Sequence, residues 1–355
     1  MMKKTPLNLV AALACSSLAF NAMGMSKTPE PVPVDETVVY PAPETIVRFI
    51  AIGDSGTGED GQYKVADAMQ AVCEQRGCEF AIGLGDNIYE SGVDGVNDIQ
   101  FDTKFEDPYK NIDFPFYMAL GNHDNSWIFG GDGADNDKGE IQVEYHYRTD
   151  RKSEKWQMPA RMYQFSAPLN TSVPLVEFFA LDTNPSASAG DPSDEYNKDD
   201  YSALQGKWLK DGFAASKAPW KIAFGHHPYI SNGSHGNAGN YDSLVGQGKH
   251  FKKMTEENIC GNADAMIVGH THALQWLKEK ESCPGTFHIV SGAGAKTKNF
   301  VTKTNLNESY WQQDEILGFF YIEIQGDEFR GTAYTVDPVS GEHKAAYTRT
   351  MNRNK

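Results

Sequence analysis

Positive charge is scarce in this chain, and nothing concentrates what there is. The 355 residues carry 32 Lys and Arg against 48 Asp and Glu, a formal net charge of -16. An excess of that sign repels nucleic-acid backbones and anionic membrane surfaces, so neither is expected as a partner. Long apolar runs are also missing. Leu7–Phe20 is too short to span a bilayer, and no later segment does better. Cysteine is sparse, five in all, and lacks the tight C-x-x-C spacing of a zinc site. No internal repeat stands out. The chain is not short of core material, since 40% of it is hydrophobic and 12% aromatic. That is no disordered chain, and its length leaves room for one large domain or two small ones.

The N-terminus has the pattern of an export signal over residues 1–24. Lys3 and Lys4 form a basic start, Leu7–Phe20 an apolar stretch, and Ala22-Met23-Gly24 a small-x-small cleavage site before Met25. Ala14-Cys15 offers the alternative of a lipidated cysteine, although Ala12 and Leu13 fit that pattern poorly. Residues 25–44 hold Pro29, Pro31, Pro33, Pro41 and Pro43 and are expected to be an extended linker, with a folded domain over 45–350. Removing the signal leaves Cys73, Cys78, Cys260 and Cys283, an even number with three possible pairings in an exported chain. The local pairs Cys73–Cys78 and Cys260–Cys283 are favoured, with free buried thiols as the alternative. A secreted or periplasmic location follows, with a lipid-anchored form as the rival.

Apolar runs suited to buried strands occur at Ile46–Ile52, Phe80–Leu84, Phe114–Leu120, Leu175–Leu181, Trp220–Phe224, Ala265–Val268 and Phe287–Val290. Helical spacing marks Gln62–Gln75 and Tyr201–Phe213 between them. Continuous apolar strands flanked by helices are buried on both faces, as in a layered α/β domain. Gly318–Ile324, Glu328–Val336 and His343–Thr350 alternate instead, and are expected to form an antiparallel meander closing a second sheet. Loops rich in Gly, Asn, Asp and Ser at Gly130–Gly139, Thr183–Asp200 and Ser231–Gly248 are expected to border a site.

Five strand ends carry chemistry. They read Gly53-Asp54-Ser55-Gly56, Gly85-Asp86-Asn87-Ile88-Tyr89, Gly121-Asn122-His123-Asp124, Gly225-His226-His227-Pro228 and Gly269-His270-Thr271-His272. Each alone has an ordinary explanation. Asp54 and Asp86 could cap turns, Tyr89 could be packing, Asn122 turn chemistry, and His226 and His227 rigid-loop histidines. His270-x-His272 is the strongest single signal, because two imidazoles two apart in extended chain point the same way. Together they put ligand-type side chains at the carboxyl ends of five strands, where open α/β sheets bind. Oxygen and nitrogen donors of this mixed kind are what a pair of metal ions requires, a carboxylate bridging two ions about 3.5–4 Å apart.

That ordered set resembles the metallophosphoesterase superfamily, and the tyrosine three residues after the second aspartate resembles the purple acid phosphatases within it. Trp156-Gln157-Met158-Pro159 with Tyr163, His270–Trp276, Ser291-Gly292-Ala293-Gly294 and Leu317-Gly318-Phe319 are similar to the small tartrate-resistant type, over roughly Val47 to Tyr347. The resemblance implies a four-layer α/β/β/α sandwich of two mixed sheets flanked by helices. It assigns Fe(III) to Asp54, Asp86, Tyr89 and His272, and a divalent Fe, Zn or Mn to Asp86, Asn122, His226 and His270, with Asp86 bridging. Hard Fe(III) suits carboxylate and phenolate, and a borderline divalent ion suits imidazole and amide. In the family, phenolate-to-iron charge transfer gives a purple colour. His227 is a departure, standing where that type often carries tyrosine. The function implied is hydrolysis of phosphate monoesters to inorganic phosphate by a metal-bound hydroxide, in a monomer. His123 is cast as proton donor to the leaving group and His235 as a substrate contact; Asp124 either orients His123 or finishes its turn. A phosphodiesterase or nucleotidase on the same scaffold is the alternative.

Overall fold

The computed structural model describes residues 41–353, apart from 43, 128, 129, 189, 190, 192 and 301–306. The export signal expected over 1–24 and most of the linker expected over 25–44 lie outside the described residues.

In chain order the strands are β1 (Ile46–Ile52), β2 (Phe80–Leu84), β3 (Phe116–Ala119), β4 (Trp156–Gln157), β5 (Tyr163–Ala167), β6 (Val176–Ala180) and β7 (Trp220–Gly225). They continue with β8 (Ala265–Val268), β9 (Leu274–Leu277), β10 (Phe287–Ser291), β11 (Ser309–Gln313), β12 (Leu317–Gln325), β13 (Glu328–Val336) and β14 (His343–Asn352). The helices are α1 (Asp60–Arg76), α2 (Asp137–His146), α3 (Asn184–Ala187), α4 (Lys198–Ala215) and α5 (Lys249–Asn258).

Among the described residues the strands form two seven-stranded sheets, ordered β14-β13-β12-β1-β2-β3-β4 and β11-β9-β10-β8-β7-β6-β5. Each is mixed: β1, β2, β3 and β4 run parallel, as do β6, β7, β8 and β10, and the remaining pairs are antiparallel. The sheets stack through aromatic rings. Phe178 of β6 meets Phe49 of β1 and Phe80 of β2 edge-on at 5.1 and 5.3 Å, the geometry favoured by ring quadrupoles. Its neighbour Phe179 points the other way and packs on Phe213 of α4 at 4.4 Å. This alternation, required by the pleat, gives β6 one face for the inter-sheet core and one for the helices. Helices α4 and α5 cover that outer face, while α1 lies against β12 and β13 of the other sheet. The four-layer α/β/β/α sandwich follows. Among the described residues no helix is long and apolar enough to cross a membrane.

The expected strands and both helices are present, their ends displaced by a few residues. One expectation is corrected. The meander β12-β13-β14 closes no second sheet; it extends the first, with β12 antiparallel to β1 from Ile46↔Gln325 to Ala51↔Phe320. Alternation shows that a strand has one buried face, but not whose free edge it pairs with. Strands β4, β5, β9 and β11 and helices α2, α3 and α5 were not expected from the sequence: β4 has two residues and β11, Ser-Tyr-Trp-Gln-Gln, is half-buried throughout. Both local disulfides are formed, Cys73–Cys78 and Cys260–Cys283.

Candidate metal centre

Strands β1, β2, β3, β7 and β8 end at one edge of the sandwich, and each releases a glycine followed by one of the five clusters. The glycines are demanded by crowding. A Cβ on Gly121 would fall 2.2 Å from Asp86 Oδ1, and one on Gly85, whose φ is +82°, would fall 2.7 Å from His226 Nδ1. Asp54, Asp86 and His270 themselves adopt left-handed backbone, with φ of 57°, 54° and 67°. Non-glycine residues hold that conformation only when their surroundings enforce it, and such residues gather at functional sites.

The seven donor side chains fall into two contacting sets. In the first, the Tyr89 hydroxyl lies 2.9 Å from Asp86 Oδ2, 3.2 Å from Asp54 Oδ1 and 3.3 Å from His272 Nε2. In the second, Asn122 Oδ1 lies 2.9 Å from His226 Nε2 and 3.0 Å from His270 Nδ1. Asp86 joins them, because its other oxygen, Oδ1, is 3.4 Å from His226 Nε2. Orientation is secured from behind. His226 donates through Nδ1 to the Leu84 carbonyl at 2.8 Å, which leaves Nε2 a lone pair facing the centre. The Asn122 amide nitrogen donates to the Gly131 carbonyl at 3.0 Å, turning its oxygen inward. The His270 backbone N–H donates to Asp54 Oδ2 at 2.7 Å.

The acidic groups of this cluster are held out of water. Asp54 and Asp86 are buried, and among the described residues neither is paired with a lysine or arginine. Burial pushes the Asp54 carboxyl up to about 7, against the pull of His226 and with repulsion from Asp86. For Asp86 burial acts the same way, but His226, His123 and the His123 backbone N–H outweigh it and hold the group below the usual carboxylate range. Burial and the two aspartates drive the Tyr89 phenol well above its ordinary value, and burial with the neighbouring histidines drives His270 well below its own. Two buried carboxylates, a phenol and imidazole lone pairs aimed at one another are a poor arrangement unless cations share the space. Asp54, Asp86 and His226 each place a ligand atom within 4.8 Å of the other two. The donor set therefore fits metal ions.

The other sequence candidates sit around this centre. His123 approaches from the Tyr89 side, ring centroids 4.3 Å apart, and its Nδ1 lies 2.7 Å from the Glu90 carbonyl oxygen. His235 lies over His270, centroids 4.4 Å apart, with its Nδ1 held at 2.7 Å by Asp242. His227 turns away: Thr183 Oγ1 takes its Nδ1 at 2.8 Å, and His226 is the histidine that faces Asn122 and Asp86. Asp124 neither orients the His123 ring nor merely finishes a turn. It accepts backbone N–H groups of Gly121, Asn87 and Ile88 and so stitches the second cluster to the third. Glu90, and Asp242 as a partner of His235, went unread in the sequence; the place of Glu90 directly after Tyr89 is the one signal that could have flagged it.

Residues 47–274, more than half of the chain, match the calcineurin-like phosphoesterase profile. The chain belongs to the calcineurin-like phosphoesterase family. It is homologous along most of its length to proteins named acid phosphatases, which are phosphomonoester hydrolases. Tartrate-resistant acid phosphatase type 5 of Rattus norvegicus is 28% identical over 307 residues, covering 81% of this chain and 86% of that protein. The Homo sapiens protein of the same name is 27% identical, with 81% and 86% covered, and purple acid phosphatase 4 of Arabidopsis thaliana 27%, with 83% and 82%. Solved structures repeat the fold of this calcineurin-like phosphoesterase at lower identity. GAP50, described as the anchor in the inner membrane complex of Plasmodium, superposes with a TM-score of 0.67 at 21% identity, covering 87% of this chain and 90% of that one. A dimetal phosphatase from Danio rerio gives 0.52 at 12%, covering 87% and 99%. An anchor and a phosphatase thus share the scaffold, so activity has to be argued from the side chains.

Proposed function

We propose that this calcineurin-like phosphoesterase is a dimetal acid phosphatase that hydrolyses small phosphate monoesters and releases inorganic phosphate. The observation that carries the reading is the division of seven donors into two sets that share Asp86, one oxygen to each. Asp54, Asp86, Tyr89 and His272, rich in hard oxygen donors, suit Fe(III), and Asp86, Asn122, His226 and His270 suit a divalent Fe, Zn or Mn. When bound, such a pair of ions supplies activated water as the nucleophile and offsets the charge of the phosphate oxygens.

The chain's own residues do the rest. The leaving alkoxide needs a proton, and His123 stands beside the second cluster of donors to supply it. Its Nδ1 proton is committed to the Glu90 carbonyl, so transfer takes place at Nε2. His235, fixed by Asp242 at the rim, contacts the ester. Two disulfides suit an oxidising compartment, and we read the protein as exported, secreted or periplasmic.

Elemental analysis and visible spectroscopy of the purified protein test the metals. About two ions per chain and a purple band that Tyr89→Phe abolishes are expected, in keeping with a two-metal site. Colour surviving that substitution would sink the phenolate assignment. A panel of phosphomonoesters, phosphodiesters and nucleotides tests the substrate class, and turnover of diesters alone would overturn the monoesterase reading.

A further inference from the structure

A lysine lies on the face of the proposed iron ligand. The Lys296 ammonium is 3.7 Å from the centroid of the Tyr89 ring, well inside the roughly 6 Å reach of a cation–π contact. Most surface lysines are loosely held, but this one is fixed at both ends. Its loop is pinned to the ligand loops by Gly294 N–H to the Gly53 carbonyl and Lys298 N–H to the His272 carbonyl, both 3.0 Å. Its ammonium donates to Glu90 Oε1 at 2.9 Å, and the side chain is only 29% exposed. Glu90 also accepts His123 Nδ1 through its backbone carbonyl, so one residue tethers both the cation over Tyr89 and the proposed proton donor.

The geometry points to Lys296 as a positioning residue that tunes the Tyr89–metal bond electrostatically. This inference rests on the reading of Tyr89 as a phenolate ligand of Fe(III). A positive charge on the ring face stabilises the electron-rich phenolate more than it stabilises an electron moved onto the metal. The phenolate-to-iron transition is thereby raised in energy. The same charge disfavours the ferric state relative to the ferrous state and raises the reduction potential of the site. Lys296 thus bears on how readily the iron is lost to reduction, a role separate from binding the ester.

The test compares iron-loaded wild type with Lys296→Met, which keeps length and removes charge, and Lys296→Arg, which keeps charge. Metal content is measured in each. Lys296→Met should move the visible band to longer wavelength and lower the Fe(III)/Fe(II) potential, while Lys296→Arg stays close to wild type on both. Lys296→Gln, which also removes the charge but stays polar, should shift both readouts in the same direction, and it decides the matter if Lys296→Met does not fold. A Lys296→Met protein with wild-type band and potential overturns the inference, as does an arginine variant that moves as far as methionine. An iron-loaded wild type with no visible band would instead sink the phenolate reading itself, so the two failures are distinguishable.

Discussion

His123 Nδ1 lies 2.7 Å from the main-chain oxygen of Glu90, and because a carbonyl oxygen can only accept, the proton on that nitrogen is spoken for. The ring is thereby held with Nε2 as the atom left for the proposed proton transfer. Replacing it by alanine should lower kcat by about 10²–10⁴-fold, the usual contribution of a positioned proton donor, with metal content unchanged. The deficit should shrink for a nitrophenyl ester, whose leaving group needs no proton. Undiminished turnover of alkyl phosphates would remove His123 from the mechanism.

Asp124 is a structural counterpart. Its carboxylate receives Gly121 N at 2.8 Å, Asn87 N at 3.0 Å, Ile88 N at 3.0 Å and Gln142 Nε2 at 2.8 Å, every one a donor. Asp124→Asn turns one acceptor oxygen into a donor facing donors, at a cost of about 3 kcal/mol for a buried group left unsatisfied. The urea midpoint of the purified variant should fall accordingly. A midpoint equal to wild type would mean that the loops are held by other contacts.

His288 makes stability depend on pH away from the centre. It is buried in β10, its Nε2 has no hydrogen-bond partner among the described residues, and burial, aided by Lys280, lowers its pKa to about 4. The unfolded chain takes up this proton near pH 6.5 and the folded one only near pH 4, so the unfolded state binds more protons in that window. Stability therefore falls as pH drops from about 6.5 to about 4, by roughly 3 kcal/mol in total for this group. His288→Leu should flatten that part of the profile, measured by denaturant melts across the range. An unchanged slope would assign the acid sensitivity elsewhere.

The two disulfides should differ in weight. Cys260–Cys283 closes a loop of sequence separation 23 and Cys73–Cys78 one of 5. Chain-entropy arguments give about 3 kcal/mol for the first and about 2 kcal/mol for the second. Paired Cys→Ser variants compared by thermal melts would check the order, and a larger loss from the shorter loop would contradict it.

Much of this molecule was legible from local pattern. Phe80–Leu84 is apolar throughout and is a strand buried along its whole length. The meander was recognised as three strands but assigned to the wrong sheet, because alternation records burial and not the partner edge. Glu90 and Lys296 looked like two ordinary charges 206 positions apart, and no spacing rule links residues so distant.

The order of residues along the chain settled which donor types follow which buried runs, since strand burial and turn chemistry are short-range properties. It settled the kinds of donor side chain offered and their sequence of presentation. Folding decided the rest. Asp54 meets the His270 backbone across 216 positions, brought there by strands in parallel register, Phe49 beside Phe80 and Phe224 beside Ile267. Which oxygen of Asp86 serves which set, which of His226 and His227 faces inward, and what stands over Tyr89 are facts of distance through space, fixed only when two sheets stack and bring five loop ends to one edge.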